Sequence, residues 1–282
     1  MAFKLSTSTK LNQLSLYENR DREILSYRQF GEAENCVILI HGWMTSGIVF
    51  DQILEQAELE GFRVIVPNLR GSGMDGLDAG PFSIVQYGRD IIDLANHLQL
   101  DKFHVAGHCM GGQVAQWLGS ELPTRVISLS LICSVPASGL TFPEELSEAF
   151  RNSGKDIEVQ GLILDQRSPN MTIAEHERLL AEAGRLSKAS IAESFDALCE
   201  ADFEDQLYRI NSPTLVLATT DDPTISKELQ KMTVAGSIKN ARFDVLEGCG
   251  HYPQCEKPAE IAGCLKTFWN QATPIKFQLP VS

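Results

Sequence analysis

Gly107-His108-Cys109-Met110-Gly111-Gly112 is the most informative segment of this 282-residue chain. It follows an apolar strand pattern and opens a helical one. A nucleophile at such a strand-to-helix turn is held in a strained conformation, so the residues two positions before and after it must be small, as Gly107 and Gly111 are. The segment predicts a nucleophile elbow with Cys109 where serine is usual. The start of the following helix would stabilise a thiolate there.

Two later segments supply a base and an acid. His251 lies in a glycine-flanked loop, Gly248-Cys249-Gly250-His251-Tyr252, from which it can reach back to the elbow. Asp221 and Asp222 directly follow a strand pattern, so either carboxylate can lie at the same edge of the sheet. We predict that His251 is the general base and that one of these two carboxylates orients it.

The segment His41-Gly42-Trp43 follows another apolar strand pattern and points to an oxyanion hole. The backbone N–H groups of Trp43 and Met110 can together stabilise the negative charge that develops on an attacked carbonyl oxygen. We predict that Trp43, His41 and Tyr252 also contact the substrate. His41 can in addition order its loop through hydrogen bonds.

Strand patterns alternate with helical patterns, which predicts an α/β fold: a mostly parallel central sheet with helices on both faces. The strand patterns cover residues 23–30 (an edge strand), 36–40, 63–67, 102–106, 126–133, 214–218 and 243–246. Between them, residues 136–210 show only helical patterns, at 144–150, 172–183 and 187–198. We predict a core domain of residues 1–135 and 211–282, and a helical cap of residues 136–210 that roofs a mostly apolar pocket.

The four segments, in this order and context, resemble the α/β-hydrolase superfamily over nearly the whole chain, from about residue 23 to residue 271. The resemblance implies the α/β-hydrolase fold, with the helical cap inserted after the sixth strand, and the chain order nucleophile, acid, base. The family pattern places the acid just before a residue such as Pro223, which favours Asp222 over Asp221.

Cysteine in place of serine favours activated acyl substrates, because a thiol ionises near neutral pH far more easily than a hydroxyl. We therefore predict a hydrolase or acyltransferase, such as an esterase or thioesterase. It would act on an ester, thioester or lactone through a covalent acyl-cysteine intermediate. Dienelactone hydrolases and polyhydroxyalkanoate synthases are members of the superfamily that use cysteine at this position, although the chain does not otherwise resemble either.

Three other hypotheses stay open. The chain could be a Ser→Cys variant of an ordinary serine hydrolase, since Gly-His-Ser-Met-Gly-Gly is the common family form. It could be a cofactor-free ring-cleaving dioxygenase, in which His251 deprotonates a hydroxyquinolone-like substrate. Residues 62–71 resemble that branch, but it places its acid after the sixth strand, where residues 132–136 hold no carboxylate. A non-catalytic ligand receptor is the third, although a receptor has no need of all three triad members.

Composition excludes several function classes. The net charge of -13 argues against a nucleic-acid partner, because phosphate binding needs clustered Lys and Arg. No apolar run approaches the roughly 20 residues that span a bilayer, and the N-terminus shows no secretion signal. The seven cysteines are scattered, which favours a reducing compartment. We predict a cytoplasmic protein with a small, partly apolar substrate, no membrane partner, no metal and no cofactor; the sequence predicts no oligomeric state.

Overall fold

The central sheet contains eight strands in the computed structural model, which describes residues 14–56, 59–72 and 80–273. The strands are β1 (Leu14–Glu18), β2 (Ile24–Phe30), β3 (Cys36–Ile40), β4 (Arg63–Pro67), β5 (Phe103–His108), β6 (Val126–Ile132), β7 (Thr214–Thr219) and β8 (Arg242–Leu246). Their order is β1-β2-β4-β3-β5-β6-β7-β8. β2 runs antiparallel to β1 and β4, and the other neighbours are parallel. The predicted α/β-hydrolase fold is confirmed.

The prediction that residues 23–30 form an edge strand is wrong, because β2 pairs with β4 on one side and with β1 on the other. β1 itself was not predicted. Its leucines do not point into the core: Leu16 is 58% exposed, whereas the neighbouring Tyr17 is 3% exposed. The alternating leucines of this strand therefore lie on the face turned away from the core, and the pattern does not identify the buried face.

Helices cover both faces of the sheet. They are α1 (Asp51–Leu54), α2 (Ile84–His97), α3 (Met110–Glu121), α4 (Glu144–Arg151), α5 (Ile157–Arg167), α6 (Ile173–Ala183), α7 (Lys188–Glu200), α8 (Lys227–Leu229), α9 (Pro253–Glu256) and α10 (Pro258–Ala272). Successive residues of β6 show the two layers, since side chains alternate between the faces of a strand. Leu129 packs against α3 at Gly119, while the Ser130 hydroxyl accepts a 3.0 Å hydrogen bond from the Trp269 indole of α10.

Helices α4 to α7 lie between β6 and β7 along the chain and cover the carboxyl edge of the sheet. The Trp43 indole donates a 2.9 Å hydrogen bond to the Ile191 carbonyl of α7. α5 escaped the sequence analysis because its apolar residues form no single stripe: Leu162 is 59% exposed, whereas Ile163 and Leu164 are buried. The cap boundaries at residues 136 and 210 stay a prediction.

The carboxyl ends of the parallel strands gather the predicted site. His41 follows β3, Cys109 follows β5, Asp222 comes shortly after β7, and His251 lies in the loop after β8. Because these strands are parallel neighbours, their ends meet along one edge beneath the cap. Within the described ranges, no helix is long and apolar enough to cross a membrane.

Candidate active site

Cys109 occupies a sharp turn between β5 and α3. Its backbone has φ +55° and ψ −119°, a conformation that is strained for any residue with a side chain. A Cβ on Gly107 would lie 2.1 Å from the Gly111 carbonyl oxygen, and one on Gly111 would lie 2.2 Å from the Ile40 carbonyl oxygen. Neither position has room for a side chain, so the two glycines permit the elbow that presents Cys109.

Asp222 is the carboxylate that the structure brings to His251. Its Oδ2 lies 2.6 Å from His251 Nδ1, and both side chains are fully buried. Its Oδ1 accepts 2.9 Å hydrogen bonds from the backbone N–H groups of Thr224 and Ile225. Burial raises the pKa of Asp222, but the charge and hydrogen bond of His251 and these N–H groups outweigh burial and lower it. Asp221 is exposed.

Cys109 and His251 favour each other's charged forms. Burial raises the pKa of the Cys109 thiol, but the positive charge of His251, a hydrogen bond with it, Arg167 and the Met110 backbone N–H together lower it. Burial lowers the pKa of His251, yet the charges of Asp222 and Cys109 raise it to about 9. The arrangement therefore favours a thiolate–imidazolium pair.

The contact between this pair rests mainly on charge. His251 Nε2, the ring nitrogen turned away from Asp222, has no acceptor in full hydrogen-bond geometry among the residues that the structure describes. The hydrogen bond between Nε2 and the Cys109 sulfur, which helps to lower the pKa of the thiol, therefore falls short of full geometry. Catalytic hydrogen bonds are often long in the free enzyme and tighten when substrate binds.

The pair predicts a bell-shaped pH profile of kcat/KM for acylation. Activity falls at low pH, where the Cys109 thiolate is protonated at a pKa below the ordinary 9.0 of a thiol. It falls again above about pH 9, where His251 loses the proton needed by the leaving group. The two apparent pKa values belong to the coupled pair. Steady-state kinetics with a thioester from pH 5 to 10.5 measures both limbs.

Cys109→Ser is the control for that profile. Serine forms no thiolate, so its attack needs neutral His251 as the base, and the activity of the variant should rise as His251 loses its proton instead of falling again at high pH. A wild-type profile that climbs through pH 9 without a plateau would mean that Cys109 is an ordinary thiol and would contradict the ion pair.

The loop after β3 passes directly beside the nucleophile. A Cβ on Gly42 would lie 2.8 Å from the Cys109 Cβ, and the Met110 backbone N–H hydrogen-bonds toward the sulfur. The Met110 N–H thus lies next to the Cys109 sulfur, while the oxyanion-hole roles of the Met110 and Trp43 backbone N–H groups stay predictions. Burial lowers the pKa of His41 to about 4, so its ring is neutral.

Both ring nitrogens of His41 are engaged by backbone groups. Nδ1 lies 2.8 Å from the Gly42 carbonyl oxygen and donates to it, and Nε2 accepts a 2.9 Å hydrogen bond from the Leu69 N–H. His41 therefore orders the loop. A contact between His41 and the substrate stays a prediction, and only the ring carbons remain for it.

His108 holds the backbone of the base, a role that the sequence analysis missed. Its Nε2 lies 2.7 Å from the His251 carbonyl oxygen, and burial together with the charge of His251 keeps the pKa of His108 well below its ordinary value. The neutral ring therefore donates to this carbonyl. The Tyr252 ring packs against His108 and His251, at 5.1 Å from each ring centroid. Its predicted contact with substrate stays a prediction.

A narrow cavity of only about 10 Å³ adjoins Cys109 beneath the cap. Its walls are mostly apolar, with Arg167 as the one charged group apart from Cys109; they comprise Trp43, Val135, Leu140, Phe142, Phe195, Leu198, Thr224 and Ile225. A larger surface groove shares Leu140, Phe142 and Thr224 with this cavity. These three residues therefore lie between the cavity beside Cys109 and the surface groove.

Leu140→Ala should widen this passage. We expect kcat/KM for a bulky phenylacetyl thioester to rise about threefold or more relative to that for an acetyl thioester, because a methyl group replaces an isobutyl group at the wall. Leu162→Ala, on the solvent-exposed surface of α5, is the matched control and should leave the ratio unchanged. An unchanged ratio in Leu140→Ala would place the substrate path elsewhere.

Cys133, the residue directly after β6, completes a group of three candidate metal ligands. Its sulfur, an Asp222 oxygen and a His251 nitrogen all lie within 4.8 Å of one another. His251 Nδ1 is already hydrogen-bonded to Asp222, and burial and Asp222 raise the pKa of Cys133 well above its ordinary value. A protonated thiol is a poor metal ligand. We therefore assign no metal here, and the predicted absence of one stays a prediction.

Known proteins resemble this chain over most of its length. The sequence profile of the alpha/beta hydrolase family matches residues 37–263. The 3-oxoadipate enol-lactonase 2 of Acinetobacter baylyi is 27% identical over 244 residues, which cover 83% of this chain and 88% of that protein. The non-heme haloperoxidase of Rhodococcus erythropolis is 27% identical over 243 residues, covering 80% and 88%. A solved structure of a Pseudomonas aeruginosa hydrolase has a TM-score of 0.79 at 27% identity, covering 91% and 98%.

Proposed function

The chain belongs to the alpha/beta hydrolase family, and from that premise we propose that it cleaves an activated acyl compound, such as an ester, thioester or lactone, through a covalent acyl-cysteine on Cys109. One observation carries the proposal. A buried His251–Asp222 pair, joined at 2.6 Å, lies beside a cysteine that is held at a strained elbow and whose pKa is lowered. A structural thiol needs neither the strain nor the base.

The residues support the following steps. The Cys109 thiolate attacks the acyl carbon, and the N–H groups of Met110 and Trp43 stabilise the oxyanion. His251 gives its proton to the leaving group as the carbonyl re-forms, while Asp222 stabilises the imidazolium and fixes its orientation. His251 then takes a proton from water, which attacks the acyl-cysteine and releases a carboxylic acid. An amine in place of water would give acyl transfer, because the intermediate is itself a thioester.

Ring-cleaving oxygenation receives less support. In that branch of the superfamily the acid follows the sixth strand, whereas here β6 ends before Cys133 and the carboxylate on His251 comes after β7. A thiol that only positions a substrate also does not need a pKa lowered from its ordinary value, as that of Cys109 is.

Product analysis separates these two reactions. We expect the wild-type protein to release thiophenol from S-phenyl thioacetate and phenol from phenyl acetate with saturable kinetics. We expect no oxygen uptake with 3-hydroxy-4-oxoquinoline. Oxygen consumption without turnover of any thioester, ester or lactone would contradict the proposal and favour the oxygenase.

A further inference from the structure

Arg167, the last residue of α5, is a buried cation that the acyl-transfer steps do not use. Its side chain is 5% exposed and lines the cavity beside Cys109. Its guanidinium carbon lies 5.6 Å from the centroid of the Trp43 ring and 5.1 Å from that of Phe150. Within residues 14–56, 59–72 and 80–273, no carboxylate pairs with it and no acceptor receives a hydrogen bond from its side chain.

Arg70, the other buried arginine of the described chain, differs from Arg167 because a carboxylate pairs with its charge. Arg70 is 2% exposed and donates to both oxygens of Asp90 at 2.7 and 2.8 Å. A buried charge without a partner is destabilising. The two aromatic rings attract the Arg167 guanidinium but accept none of its N–H groups in hydrogen bonds. The N–H groups of Arg167 are therefore available to an anion that enters the cavity from outside.

The backbone fixes Arg167 relative to the catalytic base. Its carbonyl oxygen accepts a 2.7 Å hydrogen bond from the His251 N–H, and the hydroxyl of the next residue, Ser168, accepts one from the Tyr252 N–H at 2.9 Å. The end of α5 is thus joined directly to the loop that carries the base. An anion bound by Arg167 would be held in register with Cys109.

We propose that Arg167 binds a carboxylate of the substrate, so that the enzyme acts on acyl compounds that carry a second, ionised carboxyl group. A planar guanidinium can bind a carboxylate through two parallel hydrogen bonds. In the free enzyme the Cys109 thiolate offsets part of its charge. Acylation removes that negative charge, and the substrate carboxylate then replaces it. The apolar walls suit the hydrocarbon chain between the two carboxyl groups.

The inference rests on the proposed function for the reaction that the bound substrate undergoes. The anion site itself does not depend on that function, so the main test needs no catalytic turnover. Iodoacetate and iodoacetamide differ chiefly by one negative charge, and with both the Cys109 sulfur forms a C–S bond and displaces iodide. We expect Cys109 to favour iodoacetate: the rate constant for iodoacetate divided by that for iodoacetamide should exceed the same ratio for glutathione by about tenfold or more. Peptide mass spectrometry assigns the label to Cys109 rather than to another thiol.

Two variants isolate the contribution of Arg167. Arg167→Gln should bring the ratio to within about threefold of that of glutathione, and Arg167→Lys should retain part of the preference because it keeps the charge. A wild-type ratio equal to that of glutathione would overturn the proposal without any variant. A high ratio that Arg167→Gln leaves unchanged would also overturn it, since the attraction would then come from His251 or the start of α3.

A substrate pair links the anion site to the proposed function. Adipic acid mono-S-phenyl thioester should be cleaved about tenfold or more better in kcat/KM than S-phenyl thiohexanoate, and Arg167→Gln should remove this preference. Equal cleavage of both thioesters would leave the acyl-cysteine mechanism standing and overturn the carboxylate site. A strong iodoacetate preference without cleavage of either thioester would leave the carboxylate site standing and overturn the proposed acyl-cysteine reaction.

Discussion

Cys109→Ala is expected to lower kcat/KM for S-phenyl thioacetate by about 10⁴-fold or more, since no other group can form the covalent intermediate. The remaining thiols are poor substitutes. Burial raises the pKa of Cys36 to about 12, and burial and Asp222 raise that of Cys133 well above its usual value. Initial-rate kinetics measures the loss.

Cys36→Ala is the matched control for this loss, because it removes another buried thiol at the far end of a strand from the site. We expect its kcat/KM to stay within about twofold of the wild type. Residual activity of Cys109→Ala above one tenth of the wild type would show that the thiol is not the nucleophile.

Cys109→Ser addresses whether cysteine suits this site better than serine. The pKa of a serine hydroxyl is far too high for an ion pair with His251, so we expect about a tenfold or larger loss with thioesters. A gain would favour the hypothesis that the chain is a Ser→Cys variant of a serine hydrolase, for which the surrounding groups were arranged around a hydroxyl.

Asp222→Asn should have the second largest effect, a loss of about 10³- to 10⁴-fold in kcat/KM. The amide removes the charge that raises the pKa of His251 and stabilises its imidazolium. The two hydrogen bonds from Thr224 and Ile225 to Oδ1 can persist, so the loop should keep its shape. Steady-state kinetics over a pH series also tests the cause, because the basic limb of the profile should move to lower pH.

The neighbouring Asp221→Asn is a control of the same chemistry one residue away. Its side chain is exposed and its backbone N–H binds the Cys249 carbonyl, so we expect a change of less than about twofold. If the two variants lost activity equally, electrostatics at the loop rather than contact with His251 would account for the effect.

The sequence predicted the parts of the site that sterics and chain order control. The glycines around Cys109 indicate the elbow, because no side chain fits at their positions. The strand before Asp222 places a carboxylate at the edge of the sheet. Adjacent Asp221 and Asp222 were harder to separate. Local pattern alone assigns neither to His251. The family resemblance favours Asp222, and the fold shows that Asp222 is buried whereas Asp221 is exposed.

The contacts that the sequence did not reveal join residues far apart in the chain. His108 reaches a carbonyl 143 residues away. Arg167 ends α5, a helix that the sequence analysis did not predict, so it gives no local signal. Only the folded structure shows that Arg167 lies over the Trp43 ring and lines the cavity beside Cys109. Cap helices without one apolar stripe, such as α5, hide such residues from pattern analysis.

The most direct test of the acyl-cysteine is the intact mass of the protein after brief mixing with acyl thioesters and activated esters. We predict that the wild-type mass rises by one acyl group, that Cys109→Ala shows no gain, and that peptide mapping places the group on Cys109. Rapid thioester cleavage by the wild type with no adduct under quenched conditions, or an equal adduct on Cys109→Ala, would contradict the account.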